Sequence, residues 1–216
     1  MRPPTRHRPP VPGGELRRRV TADGARQPVL LQEERTELDV SFTVPVMPSG
    51  LDENVLDLPA SANHHGVRVR TVNLMTMNYG ESYDGDTGDY AVTSAEAANV
   101  QFMEVFGLSG SAAWRGKALT SMIGVNDVGG ETFTLADAAQ VHAFAEEKGI
   151  ARVSMWSSFR DRPCAEGSGA EDAATDCSGG GAGGGCLREG LRGLTGTGSV
   201  CARSDGTGPA DTGPST

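Results

Sequence analysis

Apolar and polar side chains alternate from Leu38 to Val44 in the order Leu-Asp-Val-Ser-Phe-Thr-Val. A period of two with β-branched residues predicts a strand. Pro45, Pro48 and Gly50 then punctuate a loop, and Asp52 stands where it can cap a short helix bearing Val55, Leu56 and Leu58. Pro59 is expected to break or kink that helix, because proline lacks the N–H that an inner turn needs. The stretch Val67 to Met77 predicts a second strand in its later part, and a polar loop rich in Gly and Asp is expected from Asn78 to Tyr90. Thr93-Ser94-Ala95-Glu96 has the form of a capping box. The helix predicted after it carries Ala97, Val100, Phe102, Met103, Val105 and Phe106. Leu119 to Val125 predicts a third strand. Thr134, with Asp137 in the first turn, opens a helix whose apolar face holds Val141, Phe144 and Ala145 and whose stop is Gly149. Ala151 to Ser157 predicts the last strand.

Strands that alternate with helices of this length predict a parallel sheet joined by crossovers. Four strands and three intervening helices amount to about half of a (β/α)8 TIM barrel. An open doubly wound sheet is the structural alternative, and periodicity alone does not separate the two. Residues 1–37 are Pro- and Arg-rich without a sustained period and are expected to lack structure. Beyond Asp176 the chain turns rich in Gly, Thr and Ser, and no order is expected there either. The chain thus divides into a 1–37 segment, a 38–178 domain and a 179–216 tail.

Composition narrows the function classes. The chain has 216 residues and a net charge of −9, which weighs against nucleic acid as a partner. No apolar run approaches the ~18 residues of a membrane span. Arg17, Arg18 and Arg19 are followed by Val20-Thr21-Ala22-Asp23-Gly24 where an export signal would be apolar. Cys164, Cys177, Cys186 and Cys201 form no Cys-x-x-Cys pair, so no zinc site is expected. Cys164 and Cys177 flank a polar loop and can close a disulfide in an exported protein, whereas Cys186 and Cys201 read as free thiols of the tail. Asp84 to Asp89 departs from the order of a calcium loop and has no glutamate at the last ligand position. The glycines from Gly179 to Gly185 lack the Lys-Ser/Thr of a phosphate loop. No metal or cofactor is expected.

In parallel α/β folds function sits at the C-terminal ends of the strands. Those ends read Met75-Thr76-Met77-Asn78-Tyr79-Gly80, then Ile123-Gly124-Val125-Asn126-Asp127, then Ser154-Met155-Trp156-Ser157. With Ser41 to Pro48 before them and Val153 to Arg162 and Cys164 after them, they resemble strands five to eight of bacterial chitinase-like barrels in glycoside hydrolase family 18. The resemblance covers about Leu38 to Ser178 and implies chitin or N-acetylglucosamine oligosaccharides as partners. It places Trp156 as the floor on which a pyranose stacks, and an indole supplies the flat apolar face for that. It further implies that the Tyr79 hydroxyl bonds an acetamido group, with Met77 packed beneath that group and Asn126 as a sugar contact. Each of these residues also has a plain structural reading, as core filler or strand-end turn. Many members carry Asp after the tyrosine, where this chain has Gly80.

The resemblance also exposes a gap. Family members take the leaving-group proton from a glutamic acid in an Asp-x-x-Asp-x-Asp-x-Glu motif that ends the fourth strand. Upstream of Leu38 stand only Glu15, Asp23, Glu33, Glu34 and Glu37, and none has that spacing. A tyrosine and a tryptophan can hold a sugar but cannot replace the acid. The expectation is a truncated, inactive chitinase-like fragment with no catalytic residue. A non-catalytic carbohydrate-binding protein is the alternative, and an unrelated α/β enzyme with a phosphate ligand is a more distant one. The family implies an extracellular setting, and the open edges of a half barrel imply self-association.

Overall fold

A computed structural model describes residues 27–165 and 177–179. The expected structureless segment up to residue 26, the tail from residue 180 and the thiols of Cys186 and Cys201 lie outside those residues. Four parallel strands, β1 (Val40–Pro45), β2 (Val69–Met75), β3 (Lys117–Met122) and β6 (Arg152–Trp156), form one sheet in the order β1-β2-β3-β6. The order follows the chain, as a barrel segment requires. Between the strands run α2 (Glu53–His64), α3 (Thr87–Phe106) with the short α4 (Gly110–Arg115), and α5 (Leu135–Lys148). A small antiparallel hairpin, β4 (Gly124–Val125) with β5 (Thr132–Phe133), rises from the end of β3. The expected third strand is therefore split at Ile123, and its last residues serve the hairpin.

The core follows from the strand period. Val44, Val72, Leu74 and Leu119 turn to the helix layer and meet Ala91, Ala95, Ala98 and Phe102 of α3 and Val141 of α5. Each large apolar side chain buried this way contributes about 1.5–3 kcal/mol. The opposite face carries polar residues that bond sideways from strand to strand. Asn73 Nδ2 donates to Thr43 Oγ1 at 3.3 Å, Thr120 Oγ1 donates to Asn73 Oδ1 at 3.0 Å, and Thr120 and Ser154 share a hydroxyl bond of 2.7 Å.

Four local expectations are corrected. Residues 27–34 are helical (α1) although they sit in the Pro/Arg-rich segment. Tertiary contact explains this, since the Gln32 amide donates to Leu38 O and Arg68 O and accepts from Arg68 N. The Thr93 capping box is not a helix start, because α3 begins at Thr87 with Asp86 as N-cap, its side chain accepting from Asp89 N at 2.9 Å. The polar loop after β2 is correspondingly shorter. Pro59 lies buried inside α2 without ending it, and Asp52 occupies the N-cap position without a side-chain bond. Beyond Asp176, where the Gly-rich composition predicted no order, Cys177–Gly179 is held by the Cys164–Cys177 disulfide that the sequence allowed and by Ser178 N donating to Arg162 O.

Elsewhere the local signals hold. Thr134 and Asp137 form a reciprocal capping box, and α5 ends on a left-handed Gly149. Gly88 lets α3 approach α5, since a Cβ there would lie 3.1 Å from the Asp137 Cα. Within the sheet β1 and β6 stand at the edges, each with one strand partner among the described residues.

Candidate functional site

The C-terminal ends of β2, β3 and β6 bring the expected site residues to one end of the sheet. Trp156 ends β6 opposite Met122 of β3 and is 59% exposed. Its carbonyl accepts from Ile123 N at 3.0 Å, so the indole stands on a bonded backbone. Met77, Tyr79 and Asn126 are brought near this end as well, but they are buried, at 8%, 4% and 4% exposure. Of the expected contacts, only Trp156 presents an open face.

The two loops after β2 and β3 are tied by Glu131, a residue without a role in the sequence reading. Glu131 is 1% exposed, accepts from Gly80 N at 2.9 Å through Oε1 and accepts from the Asn126 amide at 3.2 Å through Oε2. Its backbone carbonyl accepts from Asn126 N at 3.0 Å. Asn78 has a φ of 56°, a left-handed value that asparagine tolerates better than most residues. Its amide donates to the exposed Asp127 carboxylate at 3.3 Å. No local pattern reveals Glu131, because its partner Gly80 lies 51 positions away.

Tyr79 packs into a cluster of three aromatic rings, 5.6 Å from Tyr90 and 6.0 Å from Tyr83. Burial pushes its phenol well above the usual range, with nearby Glu131 acting in the same direction and Ser94 and Thr76 opposing. Its hydroxyl, Asn78 Oδ1 and Asn126 Oδ1 are buried without a hydrogen-bond partner among the described residues. Such groups are costly to leave unpaired, and a water or a ligand polar atom is the usual remedy.

The rim after Trp156 is built rigidly. Residues Ser158–Arg160 form a 3-10 turn, and Arg160 is 2% exposed, its guanidinium donating to the carbonyls of Ile123 and Val125. Ser178 crosses this region, its carbonyl accepting from Val125 N at 2.8 Å. Gly124 makes room for the crossing, since its φ is 76° and a Cβ there would fall 1.8 Å from Ser178 O. Phe159 stands outward at 76% exposure.

The glutamates of the N-terminal segment are remote from Trp156. Glu33, Glu34 and Glu37 are exposed and precede β1, at the end of the sheet opposite Trp156. Glu131 has both oxygens engaged. Among the described residues no cluster of His, Cys, Asp and Glu could hold a metal. A cleft of about 170 Å³ lined by Asn63, Val69, Phe102, Phe106, Leu108 and Gly116 lies at the N-terminal ends of the strands, away from Trp156.

Known proteins match this architecture. The catalytic domain of a hyperthermophilic chitinase from Pyrococcus furiosus superposes with a TM-score of 0.66 at 31% identity, covering 74% of this chain and 51% of that one. Over that part, the chain has the chitinase-like barrel fold of glycoside hydrolase family 18. Catalytic-site mutants of active domain 2 of a thermostable chitinase from the same organism, complexed with chito-oligosaccharides, superpose with a TM-score of 0.67 at 30% identity, again over 74% and 51%. In sequence, Endochitinase 11 of Metarhizium anisopliae is 28% identical over 151 residues, which is 62% of this chain and 27% of the relative. A probable bifunctional chitinase/lysozyme of Escherichia coli K12 is 30% identical over 149 residues, 61% of this chain and 16% of the relative. The chain thus spans about half of the chitinase domain chains and a smaller part of the curated relatives. No family model matches it.

Proposed function

We propose that this chain binds N-acetylated chitooligosaccharides at the Trp156 end of the sheet and does not hydrolyse them. The single observation that carries the reading is Trp156, an indole 59% exposed at the C-terminal end of a family 18 barrel strand. A pyranose carries apolar C–H faces, and an open indole is the side chain that rewards stacking on them most. Met77, Tyr79 and Asn126 follow the ends of the neighbouring strands, and the Asn78 and Asn126 carbonyl oxygens lack the donor that an acetamido N–H or a bridging water supplies. The relatives named as chitinases, and the solved complex with chito-oligosaccharides, point to the same sugar class.

Absence of turnover follows from the acids. The chain has no Asp-x-x-Asp-x-Asp-x-Glu segment, and the glutamates that precede β1 lie at the wrong end of the strands. Glycoside hydrolysis needs a carboxylic acid beside the leaving oxygen. The Cys164–Cys177 bond fits an extracellular setting, where disulfides persist. The experiment is calorimetric titration of the folded chain with an N-acetylchitooligosaccharide, with the sugar recovered and sized afterwards. Saturable binding with intact sugar is the expected result. Shortened sugar would mean that an acid acts at this site after all.

A further inference from the structure

We propose that two copies of this chain close one eight-stranded barrel, the β6 edge of each lying along the β1 edge of the other, with Asp39 paired to Arg152 across both seams. Such closure follows from the barrel fold and is independent of sugar binding at Trp156.

A parallel sheet is ordinarily covered on both faces, and a closed barrel has no edge. Here the helices cover one face. On the other, Ser41, Thr43 and Pro45 of β1 and Arg152 and Trp156 of β6 are exposed, and each of these strands has one strand partner among the described residues. The two edges fit each other in direction, because all four strands are parallel. A two-fold axis along the barrel axis therefore makes both seams at once and leaves no edge, whereas β1 against a second β1 would leave both β6 edges open. The matching chitinase domain agrees with that count, since the chain covers 51% of it and carries four strands of a fold that has eight.

Register decides which side chains meet. Across the sheet Thr43 lies beside Asn73, Asn73 beside Ala118 and Ala118 beside Arg152. A barrel of this class shifts by about eight residues per circuit, hence about four over half of it, and the right-handed twist directs the shift towards the strand N-termini. A row that leaves one copy at Arg152 thus enters the next about four positions before Thr43, at the second copy's Asp39. The same step sets Ser154 beside the second copy's Ser41, so the hydroxyl pairs of each sheet, Ser41 with Thr71 and Thr120 with Ser154, come together at the seam. Asp39 and Arg152 are exposed, opposite in charge and without an ion pair among the described residues. Within one chain they stand at opposite edges of the sheet, three strand spacings or about 14 Å apart at the least, too far to bond. On the helix side, α1 packs through Val29 against Val40 and Phe42 of β1 and leaves Leu30 and Leu31 46% and 47% exposed. A helix that precedes a barrel strand covers the seam to the strand before it, and the half-buried Val153 and Met155 of β6 are the apolar surface that closure brings there. Both Trp156 indoles stand at the same mouth of such a barrel, since every strand ends there.

The test is light scattering of the full chain over a dilution series at low salt, on wild type, Asp39→Arg, Arg152→Asp and an equimolar mixture of the two variants. Melting curves establish that each is folded, and substitutions at two exposed positions should leave the fold intact. Wild type should have the mass of two chains. Either reversal sets like charges at both seams and should weaken dimerisation roughly 10-fold. The mixture restores opposite charges at both seams and should form a heterodimer of near wild-type affinity, which a role confined to one chain does not produce. A folded wild type with the mass of one chain at every concentration, or masses that grow beyond two chains, would overturn the closed dimer. Single variants that dimerise as wild type does, or a mixture no tighter than its parts, would overturn the Asp39–Arg152 seam.

Discussion

On the helix side of the sheet, Val44, Val72, Leu74 and Leu119 are buried among the alanines and Phe102 of α3, whereas on the other side Thr43, Asn73, Thr120 and Ser154 bond one another across the strands. Both faces are made by the same four strands and differ only in which alternate residue they present. The apolar face gains by leaving water and holds the fold. The polar face satisfies its side chains laterally, so it stays stable while open on the side where a closed barrel would be filled. Trp156 shares that polar side with Ser154, which places the proposed sugar floor on the face that contributes least to folding.

Substitutions should therefore separate stability from binding, and the apolar face should show the largest effect. Leu119 is fully buried in the core, and Leu119→Ala should cost about 2–5 kcal/mol in denaturant unfolding through the cavity it leaves. A loss below ~1 kcal/mol would mean that the helix layer is not the stabilising side. The tie between the loops comes next. Glu131→Gln places an amide donor against either Gly80 N or the Asn126 amide, and should lower stability by about 1–3 kcal/mol. Equal unfolding midpoints for that variant and wild type would remove Glu131 as the tie.

A third effect is read from pH. Lys117 is fully buried, its ammonium donates to Asn99 Oδ1 and Ala113 O, and it lies 4.3 Å from the Trp114 ring centre. Loss of hydration on burial lowers its pKa to about 7 in the folded chain from an ordinary 10.5. Between these values the unfolded chain binds more protons, so this group makes stability rise as pH climbs from about 7 towards 10.5. Melting temperature followed from neutral to alkaline pH should show that rise in wild type relative to Lys117→Met. Parallel pH profiles would show that the lysine stays charged throughout, held by its two acceptors and the ring.

The four strands, the α5 capping box and the Gly149 stop were legible because each is written in a few adjacent residues. The Thr93 capping box misled for the same reason. A correct local motif lay inside a longer helix that Asp86 starts and that the buried Ala91, Ala95 and Ala98 extend. Helix α1 escaped notice because its order comes from Gln32 reaching Arg68, 36 positions on. The place of Trp156 at a strand end was readable from the strand pattern. Glu131 and the Ser178 crossing were not, since each acts on partners that only the fold brings near.

The central claim is that the open indole binds sugar while the folding face is untouched. The most direct measurement is titration of wild type and Trp156→Ala with one N-acetylchitooligosaccharide, with melting temperatures taken on the same samples. The account predicts saturable binding by wild type, weakened by about tenfold or more in the variant, at a melting temperature that changes little. Equal affinities in the two proteins, or no binding by a folded wild type, would contradict it.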